Sequence, residues 1–368
     1  MRIPELKDYL KTIPVTRSVL IVGPPGVGKS VATREFAENE AKKMGLEFVD
    51  YDDSMFSEIV SSPDSYYVYV DMRLTEVEPS DLIGIPRDLD STVSYKPLTW
   101  ATVLSKAKRG LLFLDELTNI SRPDIISVAY KIILDRKAGF TKISNGVRII
   151  AAGNTPEQSS VANLLPTPLI SRFHIINVDA PTLNEWAEWM DINESNWDKR
   201  GLAYLMRFPD DFLKLPPEPE TLDSYPCPRT WHWLLAELPN TPKEYVRDKV
   251  LGYIGPEVGQ RFYAFLNNPI PDIKELLEKP EIFKTLSLDS KYLSVVSVAN
   301  YYVNTLKNPA KLVGFLKVVA DVQEDFVILF TVVAKKKLAE LLKYITSSPE
   351  LSNVWKILRD VGAYMAGL

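Results

Sequence analysis

Eight residues, Gly23-Pro24-Pro25-Gly26-Val27-Gly28-Lys29-Ser30, constrain this chain more than any other stretch. They fit the spacing G-x-x-x-x-G-K-S/T, with an apolar β-branched run, Val19-Leu20-Ile21-Val22, before them and a helix-like stretch after them. A strand that stops, turns through glycines and leaves as a helix points successive backbone N–H groups at one spot. The helix dipole favours an anion there. Lys29 adds a full positive charge, Ser30 offers a hydroxyl to Mg²⁺, and Val31, the next residue, is counted with the binding residues. Glycine is otherwise sparse, 16 of 368 residues, so the run stands apart from its surroundings and reads as a phosphate-binding loop.

A chain of 368 residues exceeds one ordinary core, and two or three domains are expected. Its 46% hydrophobic and 25% charged residues are those of a soluble globular protein. The opening Met1-Arg2-Ile3-Pro4-Glu5-Leu6-Lys7-Asp8 has no apolar h-region, and the longest apolar run, Phe326 to Ala334, is broken by Thr331 and too short to span a bilayer. A cytoplasmic protein with no membrane partner is expected. Cys227 is the only cysteine, which excludes an intrachain disulfide and fits a reducing compartment. The two histidines, His174 and His232, sit beside aromatics or aliphatics, which favours packed, hydrogen-bonded rings over zinc ligation. A net charge of −5 argues against a surface built throughout for nucleic acid and leaves a local basic pore open.

Along the chain, residues 18 to 22 read as a buried strand and Lys29 to Met44 as the helix leaving the loop, with Gly45 as its stop. Tyr66 to Met72 is a second strand, and Asp88 to Lys96 alternates polar and apolar residues. Thr99 is expected to cap a helix that ends in a solvated basic triplet, Lys106, Lys108 and Arg109. Leu111-Leu112-Phe113-Leu114 then runs straight into Asp115-Glu116. Strands of a parallel sheet buried on both faces look like this, and ligands gather at their carboxyl ends. Asp115 is placed to hold Mg²⁺ through water, and Glu116 to orient or deprotonate an attacking water.

Ser144-Asn145-Gly146 between Phe140–Ile143 and Val147–Ala152 is a hairpin signal, and Val147–Ala152 ends at Gly153-Asn154-Thr155-Pro156. Asn154 either helps position that water or bonds only its own backbone in an Asn-Thr-Pro turn. A fifth strand is expected at His174 to Val178. Thr182 to Glu185 forms a capping box, Pro216-Pro217-Glu218-Pro219-Glu220 a stiff connector, and Pro228 a helix start with Arg229 in its first turn. A cation there gains nothing from the dipole, which suggests a carboxylate or phosphate partner. Asp321 to Leu342, acidic at its start and basic near its end, reads as one buried helix.

Together these landmarks resemble the AAA+ ATPases, and within them the MoxR-like branch, over residues from about 15 to 270. The resemblance rests on Gly23 to Ser30, Asp115-Glu116, Asn154, Arg172 in Ser171-Arg172-Phe173, and Arg229 in Cys227-Pro228-Arg229-Thr230, in that order. It implies an α/β fold: a doubly wound parallel sheet over residues 1–180 and an α-helical lid over 181–270; the further helical region expected over 271–368 departs from the family pattern. It further implies ATP and Mg²⁺ as ligands, a homo-oligomeric ring, typically a hexamer, Arg172 as a finger acting in trans, and Arg229 as a sensor of the γ-phosphate. Two pore-facing hairpins are implied near Asp88–Lys96 and Phe140–Val147, with Tyr95, Lys96, Phe140 and Lys142 as candidates. The output implied is a chaperone-like motor that remodels or assembles a protein complex, with a partner bearing a von Willebrand factor A domain. The rivals are a nucleic-acid motor and an ATP-gated scaffold without turnover.

Overall fold

The computed structural model describes residues 1–90, 92–157, 159, 162–215, 222–306 and 308–366. The chain divides into two compact units, Met1–Glu185 and Trp186–Leu368. Among the described residues ten strands lie in the first unit: β1 (Val19–Val22), β2 (Glu47–Asp50), β3 (Tyr66–Arg73), β4 (Ile85–Leu89), β5 (Thr92–Lys96), β6 (Arg109–Asp115), β7 (Lys137–Ala138), β8 (Thr141–Lys142), β9 (Val147–Gly153) and β10 (His174–Asn177). Six of them form one parallel sheet in the order β10-β1-β9-β6-β3-β2.

Alternate residues of these strands enter two separate cores. Leu20, Val68, Val70, Leu112, Leu114, Ile149 and Ala151 pack on one face, while Val19, Ile21, Tyr67, Tyr69, Leu111, Phe113, Ile150 and Ala152 pack on the other. Both faces are covered, which is why β1, β6 and β9 read as continuous apolar runs. The sheet with its flanking helices is the doubly wound α/β arrangement expected, and the helix after the loop spans Lys29–Met44 with Gly45 in the left-handed conformation at its end. The edge strand β2 was not anticipated, because only Phe48-Val49 of its four residues carries a strand signal.

The hairpin expected around Ser144–Gly146 does not form. β9 is buried along its whole length and takes β1 and β6 as parallel neighbours, so neither edge is left for an antiparallel partner. The turn falls five residues earlier: β7 pairs with β8 around Gly139, whose φ is +56°. Ser144–Gly146 is instead a local turn, with the Val147 N–H donating to Ser144 O at 3.1 Å. Asp88–Lys96 does belong to a hairpin, β4 against β5, with Ser91 outside the described residues. Thr99 is the first residue of its helix, Thr99–Lys106, and Leu98 is the N-cap; the Thr99 hydroxyl donates to Asp53 Oδ1 at 2.7 Å.

The second unit is helical among the described residues. The helices Arg200–Arg207, Pro228–Glu237 and Pro256–Leu266 surround Tyr204, Trp231, Phe262 and Phe265, and Asp211, 3% exposed, is held there by Arg261 at 2.8 Å and by the Tyr204 hydroxyl. A later group packs Phe283, Tyr292, Phe315 and Phe326 edge to face, with Phe330 tilted against Phe315. Asp321–Leu342 is not one helix. Extended Gln323, with φ −167°, separates Val313–Val322 from Glu324–Val333, and Lys335–Lys337 forms a short 3₁₀ turn before Leu338–Ser347. The break lets two apolar segments pack on each other where one straight rod would leave a face bare. The connector Pro216–Glu220 lies outside the described residues. The expected capping box is present: the Thr182 N–H donates to Glu185 Oε2 at 2.8 Å, and the Glu185 N–H to Thr182 Oγ1 at 3.3 Å. Both histidines are bonded rings, His174 to Tyr9 at 3.1 Å and His232 to Glu194 at 2.6 Å.

Gly139 carries the β7–β8 turn, and a Cβ there would stand 2.1 Å from the Ile83 carbonyl oxygen. Gly139→Ala combines that collision with a left-handed backbone. It is expected to lower stability by about 1–3 kcal/mol, read from a denaturant titration against the unaltered protein.

Candidate active site

The loop Gly23–Ser30 leaves β1 at the carboxyl edge of the sheet and closes into the helix Lys29–Met44. Its glycines are demanded by geometry. Gly26 and Gly28 have φ of +74° and +103°, and a Cβ on Gly23 would lie 2.4 Å from Val178 O. Lys29 is 9% exposed, and its ammonium donates to Gly23 O at 2.7 Å, Pro24 O at 2.9 Å and Asn154 Oδ1 at 2.9 Å. Val31 is exposed, in the first turn of the helix.

Strand order explains why Asn154 is within reach. β9 lies between β1 and β6, with Gly153 opposite Val22, so its end opens between the loop and the acidic pair. Ser30 Oγ donates to Asp115 Oδ2 at 2.7 Å, so the two groups read from the sequence as Mg²⁺ ligands lie in contact. Asn154 is no mere backbone turn residue: its amide oxygen serves Lys29, and its N–H donates to Thr118 Oγ1 at 2.8 Å.

Glu116 turns the chain sharply, with φ +59°, and its N–H donates to Asp115 Oδ1 at 2.8 Å. Its carboxylate accepts from Thr75 Oγ1 at 2.7 Å and lies 3.8 Å from Arg73 Nε. Neither Thr75 nor Arg73 was singled out from the sequence. The available signal was positional, since Arg73 closes β3 directly opposite Asp115 on β6.

The two arginines are placed differently. Arg172 is exposed, follows the short helix Thr167–Ile170, and donates to Pro168 O at 2.6 Å; among the described residues no carboxylate pairs with it. Arg229 belongs to the second unit, exposed in the first turn of Pro228–Glu237, with its guanidinium over the Trp233 ring at 5.5 Å rather than on a carboxylate. The first unit brings the turn of the β7–β8 hairpin against the open end of β4–β5. Tyr95 and Phe140 meet at a tilt with ring centroids 5.3 Å apart, the Lys131 ammonium lies 4.8 Å from the Phe140 ring centre, and Phe140 is 73% exposed. Val93 and Ile85 are exposed on the same hairpin as Tyr95, and so are Lys96 and, on β8, Lys142. Of the basic triplet, Lys106 ends its helix, Lys108 pairs with Asp64, and Arg109 opens β6.

Residues 19–179 match the family model described as ATPase family associated with various cellular activities (AAA). No curated protein matches the chain. Among solved structures, AMPPCP-bound DnaA from Aquifex aeolicus is similar at 12% identity and a TM-score of 0.32, over 92% of each chain. Among the described residues no helix is long and apolar enough to cross a membrane.

Asp71, on β3 beside β6, opens to solvent at its surface but is crowded enough by protein that desolvation, followed by the charges of Asp115 and Asp50, pushes its carboxyl up to about 6. The unfolded chain would hold this group near the ordinary value of about 3.9. The folded state therefore binds the proton more tightly, and ionised Asp71 works against folding above about pH 6, a penalty that fades as pH falls through 6 toward 4. Asp71→Asn is expected to raise the unfolding temperature at pH 7.5, with the gain shrinking toward nothing at pH 4, in thermal scans without added divalent cation.

Proposed function

We propose that this chain, built on the AAA ATPase domain of residues 19–179, is a MoxR-like, ring-forming ATPase that remodels or assembles a protein complex. The observation carrying the ATPase reading is the convergence of Lys29, Ser30, Asn154, Asp115 and Glu116 at one sheet edge through bonds of 2.7–2.9 Å. Phosphoryl transfer asks little covalent chemistry of a protein. It needs positioning and charge stabilisation around a loose in-line transition state.

The N–H groups of Gly26 to Ser30 and the Lys29 ammonium hold the phosphates of ATP, and Lys29 exchanges carbonyl partners for phosphate oxygens. A hydroxyl and a carboxylate in contact are hard oxygen donors suited to Mg²⁺, so Ser30 and Asp115 would hold it. When bound, Mg²⁺ neutralises charge on the phosphate oxygens. Glu116 orients and deprotonates the attacking water once its carboxylate is released from Thr75, and Asn154 helps place that water.

Arg172, exposed and without a carboxylate partner among the described residues, supports a finger offered to a neighbouring subunit, and hence a ring, typically of six. Arg229, also exposed, is assigned the γ-phosphate sensor role of the helical region. The exposed Ile85, Val93, Tyr95 and Phe140 on the paired hairpins favour apolar polypeptide side chains as the load, with Lys96 and Lys142 at the margin. A partner with a von Willebrand factor A domain fits that reading, as does a reducing, cytoplasmic setting for a chain whose only thiol, Cys227, is buried. The same exposed aromatic and cationic side chains would also stack on bases, which keeps a nucleic-acid motor as the alternative.

Glu116→Gln is expected to bind ATP and stall. As a trap it should retain protein clients in ATP, whereas turnover at the wild-type rate would remove Glu116 as the base. Arg172→Ala should lose roughly 10³-fold or more in phosphate release with ATP affinity nearly intact, and wild-type turnover would exclude it as the finger. Stimulation by single-stranded DNA that collapses with added salt would transfer the output to the nucleic-acid alternative.

A further inference from the structure

Thr118 lies two residues beyond Glu116, in the 3₁₀ turn Leu117–Asn119, and is 5% exposed. A buried threonine in a tight turn needs partners for its hydroxyl, and this one reaches across to the next strand. Its Oγ1 accepts the Asn154 N–H at 2.8 Å and lies 3.4 Å from Asn119 Oδ1, to which it donates. Its carbonyl accepts the Asn163 N–H at 2.7 Å, fixing the turn from a second side. The strand that approaches it has no side chain at the point of contact. A Cβ on Gly153 would stand 2.6 Å from Thr118 Cγ2 and 2.7 Å from Thr118 Oγ1. Gly153 is in ordinary extended backbone, so this glycine answers to Thr118 and not to a turn.

We propose that Thr118 is a positioning residue, its hydroxyl tying the turn that carries Glu116 to the N–H of Asn154, with Gly153 kept side-chain-free to admit it. The consequence is that two groups on different strands move as one. Glu116 sits at the head of the turn and Asn154 at the end of β9, and the Thr118–Asn154 bond sets their separation. Asn154 in turn holds Lys29 at 2.9 Å, so the tether extends from the acidic pair to the phosphate loop. Thr118 does not touch the reacting atoms. It acts through Asn154 and Glu116, and this assignment rests on the ATPase reading above.

The test compares Thr118→Val, which keeps the shape and loses the hydroxyl, with Thr118→Ser, which keeps the hydroxyl. Thr118→Val is expected to lower kcat by about tenfold or more with KM for ATP within about twofold, while Thr118→Ser stays within about threefold of wild type in both. In the Asn154→Ala background, which keeps the backbone N–H but loses the amide side chain, Thr118→Val should cost less than it does in the wild type, since only the Glu116 end of the tether is then left to misplace. Gly153→Ala, whose methyl displaces the Thr118 side chain from the opposite strand, should reproduce the kcat loss even where Thr118→Val does not fold. Unchanged kcat in Thr118→Val or in Gly153→Ala, equal impairment of Ser and Val variants, or losses that multiply in the double variant would each overturn the proposal. A wild-type protein that binds ATP without turnover would instead defeat the ATPase reading itself.

Discussion

The site depends on one packing decision, the insertion of β9 between β1 and β6. Backbone ladders on both sides hold β9, with Val22 opposite Gly153 and Leu114 opposite Ala151, so its end cannot drift relative to either neighbour. The three strand ends then deliver, side by side, a loop of N–H groups, an amide and two carboxylates. A parallel sheet gathers its carboxyl ends on one edge, and the strand order decides which chemistries become neighbours there.

Electrostatics follow from that arrangement. Lys29 is a nearly buried ammonium that would be expensive without partners, and two loop carbonyls together with Asn154 satisfy it. Across the edge, Asp115, Asp71 and Asp50 end or nearly end adjacent strands, and after desolvation the charges of Asp115 and Asp50 add to the proton affinity of Asp71. Arg34 and Arg73 answer it from the flanks through Asp50 and Glu116. The edge thus separates a glycine-rich loop of N–H groups from an acidic row, with Ser30 and Asp115 at the boundary.

Much of this was legible in the residues. The loop, the helix Lys29–Met44 with its glycine stop, the buried strands and the acids at the end of β6 all follow from glycine placement, capping and apolar runs. Errors arose where one local pattern serves two structures. Ser144-Asn145-Gly146 carries a hairpin signal, yet the strand after it is claimed by the parallel sheet, and the antiparallel pairing passes to β7 and β8. Asp321–Leu342 has dipole-matched charges for one helix, yet packing of two apolar segments breaks it at Gln323. Thr75 and Thr118 carried no signal, because a threonine at a strand end looks like any turn threonine until its partner is known.

The sequence by itself determined the local conformations: a left-handed turn at Gly28, a helix begun at Lys29, and strands too apolar to face water. These depend on neighbours within a few residues, where sterics and periodicity act directly. Only the tertiary structure decided that Lys29 meets Asn154, 125 residues away, and that Thr118 meets the end of β9. An apolar strand is equally content at any inner position of a parallel sheet, so its own pattern cannot choose its neighbours. Close contacts between distant segments, such as Gly153 against Thr118, made that choice.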